Sequence, residues 1–255
     1  MTHLSDLVHL VPYVVLVSIR VGIAFASLPA PLGSGSPAQV RAVLSVLVAA
    51  AIAIPHVEDA RALPLDAIWL GAAGFGEALV GAAIGLTARL AIGAAEAAGE
   101  SVASSMGLGF AQTIDPGSGT ESPVVAQALR LLATVAFFAL SGHHAIIAGL
   151  ARSIEVAPPG AALDPHLALS ALELARGLVA AGLRIASPVV GTMLVVQLGV
   201  ALAARAAPRL QVFTISFAVA ASVGLLTLFV AIPAMAEAIQ ALVRDIPERI
   251  AWILR

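Results

Sequence analysis

Apolar residues gather in six long runs, about Leu7–Leu28, Ala38–Pro55, Ala67–Ala95, Val124–Leu150, Leu178–Ala204 and Leu210–Ala236. Leu, Ile, Val and Ala fill them without period-2 alternation, so the pattern predicts helices and not barrel strands. Several runs reach the ~20 residues that a helix needs to cross a bilayer. Gly and Pro punctuate the intervals: Pro29 to Pro37, Pro55 to Pro64, a long break over 101–123, Ala157–Pro165, and Pro208 with its neighbours. The expected fold is all-α, a polytopic helical membrane protein forming one compact unit with no separable second domain.

Two segments depart from the pattern. Ser101–Pro123, SVASSMGLGFAQTIDPGSGTESP, is too rich in Gly, Ser and Thr to continue either flanking run as a membrane-type helix. Yet Val102, Met106, Leu108, Phe110 and Ile114 make it too apolar for a solvated loop. Irregular backbone beside hydrocarbon-grade helices survives only where protein surrounds it or where it lines an aqueous path. A Gly-jointed segment with a few bulky apolar side chains has the properties a pore plug needs. The tail, Ala234–Arg255, sets Ile239, Leu242, Val243, Ile246, Ile250 and Ile253 against Glu237, Arg244, Asp245, Glu248, Arg249 and Arg255. That predicts an amphipathic helix broken near Pro247, lying at a membrane interface or packed on the rest of the chain.

Composition sharpens the class. The 255 residues are 60% hydrophobic and 11% charged, against the roughly 25% charged residues of an average soluble domain. All thirteen basic residues are Arg, scattered singly and not clustered as nucleic-acid binding requires. With no cysteine there is no disulfide framework and no thiol metal site. The N-terminus lacks the basic stretch of a signal peptide, and Ala24–Phe25–Ala26 is not read as a cleavage site. With six spans, Arg61, Arg152, Arg176, Arg244, Arg249 and Arg255 would share one side against Arg41, Arg205 and Arg209, which points to cytoplasmic termini.

Charges inside the runs carry more information. Arg20, Glu77, Arg89, Arg130 and Arg184 would each cost about 2.5–3.5 kcal/mol at a bilayer centre, so they are not expected to face lipid. In the third run Glu77, Gly81, Gly85, Arg89 and Gly93 recur every four residues and therefore share a helix face. This writes a smooth groove, bounded by an acid and a base, that lets another helix approach closely. Chance is the competing explanation, because Gly and Ala are abundant. Glu96 and Glu100 follow one turn apart, but no nucleophile or metal ligand is placed beside them, so pairing with Arg on neighbouring helices is the expectation.

Other candidate motifs fail on geometry. His143 and His144 are adjacent, so on a helix they point about 100° apart and cannot serve one metal from one face. Neither H-E-x-x-H nor a Cys/His set occurs. Gly107–Leu108–Gly109 lacks the third Gly of a dinucleotide turn, no Walker Lys exists, and Ser141–Gly142 is not part of a G-x-S-x-G elbow. No catalytic constellation, metal site or cofactor site is expected.

The order of these residues resembles the FliR family, the R-type subunit of the export gate in bacterial flagellar and injectisome type III secretion. The likeness runs from about Arg20 to Ala236. It rests on Arg20–Val21 with P-L-x-x-x-S-P-x-x-x-R at Pro31–Arg41, on Glu77–Gly81–Gly85, and on Ala98–Gly99–Glu100. It continues through Met106–Gly107–Leu108–Gly109–Phe110, Asp115–Pro116, Gln127, Gly142–His143–His144, Pro158–Pro159–Gly160, and Ala203–Ala204–Arg205–Ala206–Ala207–Pro208 followed by Gln211–Val212–Phe213. Two departures stand out: Gln197 where the family tends to have Asn, and Ser216–Phe217–Ala218 where it tends to have Gly-Phe-Pro, which puts an expected helix kink in question. The His-His pair and the Pro-Pro-Gly turn look more flagellar than injectisome-like.

The resemblance implies a non-enzymatic core subunit that joins P-type and Q-type subunits (FliP and FliQ) in a closed helical gate, with the FlhB switch protein against it. It implies the bacterial inner membrane, at the flagellar basal body, and a gate that rises out of the bilayer plane once assembled. Residues 1–165 would be P-type-like and 166–255 a Q-type-like hairpin, with a plug loop within 101–123. The plug maps onto Met106, Gly107, Leu108, Gly109, Phe110, Ala111, Gln112, Thr113, Ile114, Asp115, Pro116 and Gly117. Met106, Leu108, Phe110 and Ile114 would seal a channel for unfolded export substrates, since apolar constrictions gate by excluding water. Arg20, Glu77, Gly81, Gly85, Arg89, Gly99, Glu100 and Arg205 would form subunit interfaces or buried charge. The alternative is a stand-alone secondary transporter or channel using Glu77 and Arg89 as an intramembrane site. A third reading, an intramembrane enzyme, lacks the reactive residues it needs.

Overall fold

The computed structural model describes residues 2–29, 36–61, 63–64, 66–108, 123–161, 166–206 and 212–254. Every regular element among them is helical. In chain order these are α1 (Thr2–Ala26), α2 (Ala38–Ala53) leading through a 3₁₀ turn at Ile54–His56 into the short α3 (Val57–Ala60), and α4 (Ala67–Ser105). After them come α5 (Val124–Ala139), α6 (Gly142–Val156), α7 (His166–Ala206), α8 (Val212–Arg244) and α9 (Ile246–Ile253).

Among the described residues four helices are long and apolar enough to cross a membrane, or five spans if α5 and α6 together make one. That is fewer than the six runs suggest, because α1 enters with Leu10–Ala26 alone and the Val124–Leu150 run is broken. Ser141 takes a left-handed backbone at φ +56° and ends the run's helical continuity. Conversely α4 reaches further than its apolar run: Ser101–Ser105 stay helical, their hydroxyls bonding backward to Ala97 and Val102 carbonyls. Helix α8 passes without a break through Ser216–Phe217–Ala218, where no proline stands.

The helices divide between two compact units. The first gathers 1–90, 141–175 and 244–255, the second 91–140 and 176–243. In the first, α1 and α2 pack as a hairpin, and the core is Tyr13, Leu16, Val17, Val21, Phe25, Ile84, Ile146, Leu150 and Ile154. Helix α9 closes this unit on α6: Ile246, Ile250 and Ile253 are buried, and Ile250 lies over Gly149. The amphipathic tail therefore packs on its own chain. In the second unit the core is Val102, Met106, Leu129, Phe137, Ile185, Val189, Met193 and Met235.

A Cβ at Gly149 would stand 2.7 Å from Ile250 Cγ2. Gly149→Val is therefore expected to lift α9 from α6 and to open the chain beyond Arg244 to limited proteolysis. Unchanged protease resistance in that variant would contradict the packing.

Candidate functional site

Sequence reading singles out two places, and each lies within one unit. In the first unit α1 carries Arg20 to the N-terminal half of α4, at Glu77 and Gly81. Arg20 is 1% exposed and Glu77 2%, so both have left water. The guanidinium meets the carboxylate in bidentate fashion, Nε to Oε2 at 2.6 Å and Nη2 to Oε1 at 3.0 Å. Nη1 donates to Ser153 Oγ at 2.8 Å, and Nη2 also to the Ala157 carbonyl at 2.8 Å. The Ser153 hydroxyl in turn donates to the Leu150 carbonyl oxygen. Glu77 Oε1 further accepts the Gly160 N–H at 3.3 Å. A planar five-donor fork is suited to such a cluster, and a lysine would not reproduce it.

The glycine stripe explains how α1 comes so close. A Cβ at Gly81 would collide with the Arg20 carbonyl oxygen, and one at Gly85 would lie 2.7 Å from the Ala24 carbonyl oxygen and 2.9 Å from Ser27 Cβ. The four-residue step is matched on both helices, so α1 and α4 run in the same direction here. The groove predicted to admit another helix is thus filled by this chain's own α1. Its two charged boundaries part company: Glu77 is bonded to Arg20, whereas Arg89 is exposed and Gly93 half-buried. Gly160 adopts φ +83° and abuts the Trp69 ring, which is how the Pro158–Pro159–Gly160 turn reaches Glu77.

In the second unit α4 ends in a Schellman closure. The Leu108 N–H bonds to the Ala103 carbonyl at 2.9 Å and the Gly107 N–H to Ser104 at 3.0 Å. Gly107 takes the left-handed φ of +78° that this closure requires. The Ser105 carbonyl, still open, accepts Gln197 Nε2 from α7 at 3.1 Å. Met106 is fully buried, and a Cβ at Gly224 of α8 would lie 2.5 Å from its Cγ. Met106 is thus an anchor in the core and not a free sealing side chain. Gly107 and Leu108 are half-buried and line, with Phe217, Val200 and Ala204, an apolar cavity of about 780 Å³. Gly109, Phe110, Ala111, Gln112, Thr113, Ile114, Asp115, Pro116 and Gly117 lie outside the described residues.

Gly99 lets α5 cross α4 at the Ala126 backbone. Glu100 is exposed, as is Arg205 on α7. Glu96 reaches Arg130 only at 4.0 Å between half-exposed side chains. The His143 and His144 rings stand 4.2 Å apart between centroids. Among the described residues no three His, Cys, Asp or Glu side chains gather as metal ligands would. Sequence reasoning missed Ser153, the Ala157 carbonyl and Gly224, and took Gly160 only as part of a turn. A lone Ser on the apolar α6 was the available signal for the first; the others depend on partners distant in sequence.

The family model described as bacterial export proteins, family 1, matches residues 11–246. The flagellar biosynthetic protein FliR of Pectobacterium carotovorum is 34% identical over 69% of this chain and 68% of its own length. That of Escherichia coli K12 is 31% identical over 86% and 83%, and that of Bacillus subtilis 26% over 89% and 88%.

Removing one member of the buried pair leaves the other charge uncompensated, which typically costs about 3–5 kcal/mol. Arg20→Ala or Glu77→Ala should lower thermal stability by that amount in detergent. The joint Arg20→Met, Glu77→Leu variant should recover most of it. A double variant no better than the singles would refute the isolated pair as the cause.

Proposed function

Because this chain belongs to the FliR family of bacterial export proteins, we propose that it is the R-type subunit of a flagellar protein-export gate. At the coarser level it is a membrane component of flagellar biosynthetic export. The finer reading is a channel for unfolded export substrates, built with FliP- and FliQ-type subunits and an FlhB-type switch protein in the inner membrane at the basal body. Within it the 1–165 part is P-type-like and the 166–255 part Q-type-like.

The observation that carries this reading is where charge remains exposed. Arg89 and Glu100 on α4 and Arg184 on α7 are exposed on helices of membrane-grade apolarity. Charges in such settings face a protein interior or a water-filled space, because hydrocarbon penalises them. The outward faces are also extensive: the most apolar window of α8 is 11% buried, against 56% for α4. Neighbouring chains supply cover for both the apolar faces and the charges. The stand-alone transporter loses its basis, since Glu77 is held by Arg20 and a backbone N–H.

Gating is assigned to the segment that leaves the α4 closure at Leu108. Its anchor, Met106 over Gly224, stays with the helix bundle, and the sealing role falls to Leu108, Phe110 and Ile114. Deleting 109–117 should leave the subunits co-purifying while the membrane leaks ions and small molecules. An intact conductance barrier in that deletion would remove the plug. Arg184→Glu should reduce co-purification with partner subunits severalfold without unfolding the chain, and undiminished recovery would count against a partner over that face.

A further inference from the structure

Helix α7 in the second unit is held differently on the two sides of Pro188. Ahead of the proline it is seated on α4: Gly182 is buried, and a Cβ there would lie 3.2 Å from the Ala94 carbonyl oxygen. Ile185, Val189 and Met193 carry that seat onward at four-residue steps, and all three are buried. The next position of the stripe is Gln197, and from Leu194 to Ala206 no residue is buried. The apolar stripe thus ends in an amide, whose Nε2 donates to the Ser105 carbonyl at 3.1 Å. That carbonyl belongs to the last turn of α4, and the closure at Gly107 leaves it over. Pro188 removes the N–H that the helix would return to the Arg184 carbonyl. The Ser187 hydroxyl donates there instead, at 2.8 Å, so α7 stays helical across a softer joint. Helix α8 meets the same turn of α4 by packing, with Met106 over Gly224.

We propose that α7 beyond Pro188 is a strap, latched to the last turn of α4 by the Gln197 amide, and that the gate opens by lifting it. The proposal rests on the export-gate reading above and gives that gate a release. A stripe that stayed apolar would bind the strap permanently. One neutral hydrogen bond is readily exchanged for water, and Gln197 is exposed to it. Lifting leaves Met106 seated on Gly224 but takes from the terminal turn of α4 its support by α7. This is the turn from which the chain departs at Leu108. Leu198 and Leu202 stand out on the strap, and a neighbouring chain over them, as that reading requires, has its grip on the latch. Segments with few buried contacts are the ones that move at small cost, and the proline supplies the joint.

The chain has no cysteine, so Ser105→Cys with Ala201→Cys supplies its one pair of thiols and leaves Gln197 intact. Both positions line the same cavity. In membranes carrying the assembled complex, a reducible reagent just long enough to bridge the pair should do so readily at rest. Bridging should fall severalfold when an export substrate fused to a tightly folded domain is stalled in the gate. Bridged beforehand, the gate should export about tenfold less and recover on reduction, whereas a slack, longer reagent should leave export near the unbridged level. Gln197→Glu keeps the length but has no amide proton to give. In that background the buried position 193, probed as Met193→Cys, should be alkylated about fivefold faster, the scale of one exchanged hydrogen bond. Pro188→Ala restores the helical donor, favours the helix, and should slow export severalfold. Equal bridging in resting and stalled gates, equal blockade by both reagents, an unchanged alkylation rate, or full-speed export by Pro188→Ala overturns the latch. A leak-tight 109–117 deletion beside an effective short bridge dismisses the plug and keeps the latch; a leaky deletion beside an ineffective short bridge dismisses the latch alone.

Discussion

A guanidinium withdrawn from water needs a counter-charge and enough acceptors for its remaining protons, or the fold that buries it is unstable. Arg20 meets that demand with Glu77, Ser153 and the Ala157 carbonyl. These groups come from α1, α4, α6 and the turn after α6, so one side chain dictates where four stretches of the first unit must stand. The geometry leaves little tolerance. Both carboxylate oxygens are used, one of them twice, and the hydroxyl that accepts from Arg20 is itself donating. Hydrophobic contacts alone would let α1 slide along α4; the pair fixes the register.

The glycines make that register attainable. Arg20 and Glu77 can only close to 2.6 Å if the two backbones approach below the spacing that side chains at 81 and 85 would impose. Ion pair and stripe are therefore one device. The second unit solves a related problem differently. There α4 must stop while still inside apolar surroundings, and its last carbonyls are met by a glycine-dependent closure and by the Gln197 amide rather than by water. Met106 over Gly224 then holds that terminus against α8.

Much of this was legible before any coordinates. The runs marked helices because their apolarity lacks alternation, and the four-residue recurrence from Glu77 to Gly85 marked a close helix approach. The identity of the approaching helix was not legible, since periodicity gives a face and never its partner. Arg89 shows the limit: it shares the stripe with Glu77, yet three turns along the same face the environment has changed from core to surface. The break at Ser141 carries no proline, and Gly142 beside it is no stronger a signal than the glycines that α4 holds without breaking. Met106 looked like loop because its composition does; only Gly224, more than a hundred residues later, makes it core.

The placement of Ile250 over Gly149 has a bearing on biosynthesis. Some hundred residues separate the two in chain order, and at about 5–20 residues per second a ribosome takes roughly 5 to 20 seconds to make them. Throughout that interval the α6 notch on the nascent polypeptide waits for the helix that covers it. The first unit to begin folding is thus among the last to finish, and factors that attend newly made membrane proteins have a defined window in which to meet that bare surface.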